Sequence, residues 1–304
     1  MSPPRRAGFL CLFLLIPPAL LPAESDAPAA TDIAVKQDFV FGRGGTQDLH
    51  ADLAYPKNVS APMPAIIHIH GGGWMGGDAR DRRLVLWARQ GYFAASIEYR
   101  LSNVAKWPAQ IQDCKCAVRW LRANAAKYNV DPNRIGVIGE SAGGHLVDCL
   151  GTMARVKAYE GDGGYPGVSS AVQAVVDFYG PTDFITPEIY SDEARQVTLG
   201  LFGVPRDQDA ALWKSGSPVF AVAAGDPPFL LVHGDADELV PLAQSQVFAD
   251  ALARAGVPHQ LLIVKNGVHG LGAKPGTTID PGWPVIAKTV EDFFAKYLAA
   301  PGQK

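Results

Sequence analysis

Long apolar runs are missing from this chain. No stretch of 18 or more uninterrupted apolar residues occurs, which excludes a multi-span membrane protein. Excess charge of one sign is missing too: 27 Lys+Arg stand against 30 Asp+Glu, and no long basic run interrupts that balance. A nucleic-acid partner needs a basic footprint, so that class is excluded as well. Cysteine is scarce, with four in 304 residues. The Cys-Lys-Cys at 114–116 has no nearby Cys or His partner and makes no zinc site. Apolar types are plentiful, at 48% hydrophobic against 19% charged, the balance of a globular chain rather than a disordered or collagenous one.

The chain opens with Arg5 and Arg6, an apolar run over residues 8–21 broken by Pro17 and Pro18, and then small residues from Ala23 onward. This is the plan of a secretory signal peptide. The run is shorter than the ~20 residues of a membrane span. Residues 1–23 are therefore expected to be a leader, residues 24–304 a single domain, and the protein exported to the periplasm or the exterior. Loss of Cys11 with the leader leaves Cys114, Cys116 and Cys149. Two readings stay open: one bond from Cys114 or Cys116 to Cys149 in an oxidising compartment, or three small buried apolar residues.

Along the rest of the chain, 35–42 and 48–55 alternate like two antiparallel strands, and 56–64 is a turn-rich link. Short strands are predicted at 65–70, 92–99, 134–139, 171–179, 229–233 and 259–264. Helices are predicted at 79–90, from Pro108 through Ala125, after Ser141, at 242–255 and at 284–298. Short apolar strands alternating with helices imply a mainly parallel sheet covered on both faces. Residues 181–227 form one long insertion with two short helix patterns, expected over the carboxyl edge of the sheet, where such folds bind ligands.

The strongest chemical signal is Gly139-Glu140-Ser141-Ala142-Gly143 between a predicted strand and a predicted helix. A sharp turn there lifts the serine hydroxyl out of the sheet, and the flanking glycines let the strained turn approach neighbouring backbone. The helix that follows favours negative charge at its start. The second signal is His70-Gly71-Gly72-Gly73-Trp74, directly after a strand. Its three glycines leave backbone N–H groups unscreened, so two of these, with that of Ala142, can donate to a developing oxyanion. It lacks the spacing of a phosphate-binding loop.

A serine needs a base, and the base an orienting acid. Seven histidines are present. His269, in the loop Asn266–Gly270 after the last strand, has the position of a base. The acid should follow the previous strand, where Asp235 and Asp237 compete; Asp235 sits tight against Gly234 as a turn former, and Asp237 is preferred. The order Ser…Asp…His is that of α/β-hydrolases. Trp74 is a candidate to line an acyl or aryl pocket. Arg100 and Asp113 are expected to pair and fix the glycine loop. Phe184, Phe202 and Trp213 are open between substrate contact and packing.

HGGGW, Glu98-Tyr99-Arg100-Leu101, GESAGG, HGDADELVP and VHG together resemble the α/β-hydrolase superfamily. Within it they resemble hormone-sensitive-lipase-like esterases, and more closely the bacterial bifunctional feruloyl and acetylxylan esterases. The likeness covers about residues 36–298. It implies a mostly parallel sheet of about eight strands with helices on both faces. It also implies Ser141 as nucleophile, Asp237 as acid, His269 as base, and Gly72, Gly73 and Ala142 as oxyanion donors. No metal or organic cofactor is called for. The expected partner is a small-molecule or polysaccharide-linked ester. Glu140 and Glu98 stand where relatives often carry Asp, and the large N-terminal cap of the lipase-like members is missing, which argues for an open cleft and against long-chain lipid. A prolyl-oligopeptidase-like serine peptidase and an arylformamidase are rival readings on the same fold. A non-catalytic binding relative would be expected to have lost a base or nucleophile that is present here.

Overall fold

The computed structural model describes residues 32–81, 83–187 and 191–300. The expected leader, with Cys11, lies outside them. Strands β1 (Ile33–Gly44) and β2 (Gln47–Pro56) form a hairpin. They are followed by β3 (Met63–Ile69), α1 (Leu84–Arg89), β4 (Phe93–Ile97), α2 (Ala109–Ala123) and α3 (Ala125–Tyr128). Next come β5 (Val130–Glu140), α4 (Ala142–Thr152) and β6 (Ala174–Phe178). Helices α5 (Asp192–Phe202) and α6 (Ala210–Ser215) precede β7 (Phe229–Gly234), α7 (Ala243–Arg254), β8 (His259–Val264) and α8 (Trp283–Tyr297).

The eight strands form one sheet in the order β1-β2-β4-β3-β5-β6-β7-β8. Pairs β1–β2 and β2–β4 are antiparallel and the rest are parallel. Strand β3 shows why its sequence is apolar throughout: Ile67 and Ile69 face one core and Ile66 the other. Side chains of α2, α4 and α7, among them Trp120, Leu146 and Phe248, fill the first core. Trp87 of α1 and Ile286, Val290 and Phe294 of α8 fill the second. Every residue of α4 is buried, so this helix runs through the interior behind the sheet edge.

Helix α1 begins at Leu84 rather than at 79. Asp81 and Arg83 are held by ion pairs that compete with a first helical turn. Strand β5 starts earlier than expected, and β6 is shorter, because Tyr179 turns to a φ of 47°. Cys114, Cys116 and Cys149 are buried and free, which decides between the two readings in favour of packing. The insertion carries the two expected helices. Ser191 caps α5 by accepting the Ala194 N–H at 3.1 Å, and Gly203 closes it in the left-handed conformation. No helix among the described residues is long and apolar enough to cross a membrane.

Candidate active site

Four parallel strands end at the same edge and deliver the candidate residues: β3 into the glycine loop, β5 into Ser141, β7 into the 235–241 loop and β8 into the loop of His269. Ser141 sits on the turn between β5 and α4 with φ 55° and ψ −117°, a strained conformation for a residue with a side chain. Its N–H donates to Phe178 O at 2.8 Å and its carbonyl accepts the His145 N–H at 2.9 Å. The turn requires close backbone approach. A Cβ on Gly143 would stand 2.0 Å from Ile69 O, and one on Gly71 would stand 2.7 Å from Glu140 O and 3.4 Å from Ser141 Cβ. The glycine loop therefore runs directly against the serine.

Gly72 O accepts N–H groups from Met75 at 3.0 Å and Gly76 at 3.1 Å, which curls that loop. The amides of Gly72 and Gly73 donate to no other described residue. Ala142 opens α4, where backbone amides lack an intrahelical acceptor. The loop is fastened from outside by the Ser102 N–H, which donates to Trp74 O at 2.7 Å, while two residues earlier in the chain Arg100 grips Asp113 through Nε at 2.8 Å and Nη2 at 2.7 Å.

His269 joins the other two members. Its Nε2 lies 3.0 Å from Ser141 Oγ and its Nδ1 2.7 Å from Asp237 Oδ2. The Tyr179 ring packs edge-on against the imidazole at 4.9 Å. Asp237 Oδ1 accepts the amides of Leu239 at 3.0 Å and Val240 at 2.9 Å. Burial alone would raise this carboxyl, but hydrogen bonds from His233 and His269 outweigh it and hold it at about 2. Asp235 does different work: its Oδ1 accepts the Asn266 N–H at 2.6 Å and ties the histidine loop to the acid loop.

A residue missed in the sequence is His233. It is fully buried, 3.5 Å from Asp237 Oδ2, with Nε2 2.8 Å from Val240 O and Nδ1 2.7 Å from Ser245 Oγ. Its only signal was its place at the head of His233-Gly234-Asp235.

Trp74 is 3% exposed. Its indole N–H donates to His145 Nδ1 at 3.2 Å, and its ring packs edge-on against His145 and Phe184. The side chain expected to line a substrate pocket is thus turned into an aromatic core, where it anchors the glycine loop to α4. Phe184, Phe202 and Trp213 are buried in the same core. His145 donates from Nε2 to Gly216 O at 2.7 Å, and burial lowers its pKa to about 4, so it stays neutral.

Glu140, next to the serine, faces the opposite core. Its Oε1 is 2.6 Å from Arg83 Nη1 and its Oε2 is 2.8 Å from His68 Nε2. Asp81 completes the group, 2.9 Å from Arg83 Nε. Burial would raise the Glu140 carboxyl, but Arg83 and His68 together pull it below the usual carboxylate range. No cluster of three or more His, Cys, Asp or Glu among the described residues has the arrangement of a metal site.

A serine on a strained strand–turn–helix, joined through histidine to a buried aspartate at the carboxyl edge of this sheet, defines the class as an α/β-hydrolase fold. The model of the BD-FAE family matches residues 51–252, and the chain belongs to that family. Among curated relatives, Esterase LipQ of Mycobacterium tuberculosis is 33% identical over 73% of this chain and 54% of its own length. Esterase LipC of the same organism is 35% identical over 74% of this chain and 57% of its own. The chain therefore spans little more than half the length of these relatives. Among solved structures, a truncated carbohydrate esterase from gut microbiota superimposes with a TM-score of 0.76 at 32% identity, covering 92% of this chain and 99% of that one. A thermophilic esterase of Thermogutta terrifontis, Est2, gives 0.70 at 27% identity over 91% and 96%.

Proposed function

We propose that the protein is an exported serine carboxylesterase acting on short-chain acyl esters, with acetyl or feruloyl esters of plant polysaccharide as its substrate class. The observation that carries this reading is the continuous chain Ser141–His269–Asp237 beside a glycine loop with free amides. Ser141 Oγ attacks the ester carbonyl while His269 Nε2 takes its proton. Asp237 holds the imidazole tautomer and the imidazolium that forms. The amides of Gly72, Gly73 and Ala142 receive the oxyanion. His269 then protonates the leaving alcohol, and water attacks the acyl-enzyme by the reverse sequence. The reaction so written uses no metal or organic cofactor.

The sugar-ester class is supported by the likeness to a protein described as a carbohydrate esterase. A second similar chain is described as a bifunctional GH43-CE. Export is supported by the n-region, apolar run and small residues at 1–23. A short acyl group is supported by the side chains beside the glycine loop. Val197 and the half-exposed Met75 flank Gly73 and give a shallow apolar wall. A shallow wall recovers little of the ~0.8 kcal/mol per buried CH₂ that a long acyl tail offers.

The test is kcat/KM on p-nitrophenyl acetate, p-nitrophenyl decanoate, methyl ferulate and acetylated xylan. Acetate is expected to exceed decanoate, with turnover of at least one of the last two. A rise from acetate to decanoate below any micelle threshold would point to a lipase-like tunnel. Hydrolysis of an aminoacyl-naphthylamide without turnover of p-nitrophenyl acetate would favour the peptidase reading.

A further inference from the structure

Two carboxyl groups outside the triad meet behind the serine. Asp148 lies on α4, Asp177 on β6, and both are fully buried at 0% exposure. Asp177 Oδ1 accepts the Gly180 N–H at 2.8 Å. The fit leaves no slack, since a Cβ on Gly144 would stand 2.1 Å from that oxygen and one on Gly180 2.6 Å. Both oxygens of Asp148, and Oδ2 of Asp177, receive no N–H or hydroxyl donor from the described residues. Asp148 and Asp177 are thus neighbouring buried carboxyls, and a proton on Asp148 would give Asp177 Oδ2 the donor it lacks. Two carboxylates in one buried site cannot both ionise, so the pair retains a proton.

The turn they hold, Phe178-Tyr179-Gly180, touches two members of the site. Phe178 O receives the Ser141 N–H at 2.8 Å, and the Tyr179 N–H donates to Val232 O at 2.9 Å. The Tyr179 ring rests on His269 at 4.9 Å. We propose that Asp148 and Asp177 are positioning residues that form a one-proton clamp: Asp148 donates its carboxyl proton to Asp177, Asp177 holds the Gly180 amide, and the turn so fixed places the Ser141 backbone and the His269 ring. The inference rests on the reading of Ser141 as nucleophile and His269 as base.

The surroundings explain where the proton sits. Burial raises both carboxyls. Asp148 rises further because Asp177 is its charged neighbour. Asp177 is restrained by His233 on β7, by the Gly180 N–H and by the Asp148 hydrogen bond, while Glu140 on β5 pushes it up. The folded state thus binds this proton more tightly than the unfolded chain does. Stability from the clamp is present at low pH and declines as pH rises from the ordinary carboxylate range through that of the pair. Loss of the proton places a second buried negative charge beside Asp177 and loosens the turn.

The experiment compares wild type with D148N, D148L and D177N on p-nitrophenyl acetate and in thermal unfolding, from about pH 6 to about pH 10. D148N keeps a donor that cannot ionise. It is expected to hold kcat within about threefold of wild type near neutrality and to lose less kcat and less Tm than wild type on the alkaline side. D177N leaves one carbonyl oxygen for two donors, and D148L removes the donor. Both are expected to lower kcat by about tenfold to a hundredfold with little change in KM. D148N superimposing on wild type at every pH, or D177N retaining wild-type kcat, would overturn the clamp while leaving the esterase reading intact. Wild type failing on every ester would overturn the esterase reading, and the difference in Tm between D148N and wild type at alkaline pH would still decide the shared proton.

Discussion

Among the described residues, three carboxylate–histidine–serine chains lie within a few residues of the same sheet edge. Asp237, His269 and Ser141 are linked at 2.7 and 3.0 Å. Glu140, His68 and Ser96 are linked at 2.8 and 2.8 Å. Asp237, His233 and Ser245 are linked at 3.5 and 2.7 Å. Distance does not tell them apart. Ser96 and Ser245 are 0% exposed, and His68 and His233 are locked among buried partners. The His269 side chain is 24% exposed, and Ser141 stands beside the glycine loop whose Gly72 and Gly73 amides donate to no other described residue. A nucleophile is set by substrate access and by what receives the negative charge; the same three residue types without those features are structural ties.

The largest effect should break or keep that distinction outright. Ser141→Ala is expected to lower kcat by about 10⁶-fold. Ser96→Ala and Ser245→Ala should each stay within about tenfold of wild type. A fluorophosphonate probe should label Ser141, and labelling at Ser96 would sink the comparison.

The two acids of one loop sharpen it further. Asp237→Asn should cost about 10⁴ in kcat, because the wrong imidazole tautomer then faces the serine. Asp235→Asn keeps an acceptor for Asn266 and should stay within about tenfold. The Asp237 carboxyl is depressed to about 2, so its contribution to stability is whole above the ordinary aspartate value and is lost as pH falls through about 2. The two variants measured side by side, by kcat and by acid unfolding, check both statements.

The structural chain at His68 should answer in stability rather than rate. Arg83→Gln leaves Glu140 and Asp81 with an uncompensated buried charge, a loss of about 3 kcal/mol at the lower end of the range for breaking a buried pair, since the Arg83 side chain retains 19% exposure. Urea unfolding should show a lower midpoint at constant slope. An unchanged midpoint would show that the cluster contributes nothing net.

The smallest effect concerns histidines that stay neutral at neutral pH. His70 and His145 are held neutral by burial, each at about 4. Their contribution is full above the ordinary histidine value and is lost as pH falls through about 4. Thermal unfolding of wild type should therefore weaken over that interval. His145→Gln retains an acceptor for Trp74 and a donor for Gly216 without titrating, and should weaken less; equal acid curves would contradict the assignment.

Much of this was legible in the sequence because it is written locally. The elbow is five consecutive residues, the glycine loop three, and each strand a short apolar run, so period and turn chemistry place them. The choice of Asp237 over Asp235 also came from position in the loop. What escaped depends on contacts between distant, isolated polar residues. Asp81 and Arg83 delay α1 because of His68 and Glu140, and Asp148 meets Asp177 only when α4 packs on β6. Trp74 resembled a pocket wall because its neighbours in sequence are functional, whereas its neighbours in space are His145 and Phe184. The cysteines stayed undecided for the same reason.

The separation of Ser141 from His269 by 128 positions also sets a timetable. The glycine loop and Ser141 leave the ribosome first, and His269 follows them. A nascent chain therefore carries the serine hydroxyl through 128 further residues of synthesis before the histidine that meets it is made. The Ser141–His269 contact closes only when β8 pairs with β7 and sets the loop of His269 over the elbow. Distributed over distant parts of the chain, the three side chains thus meet only after β8 is in place.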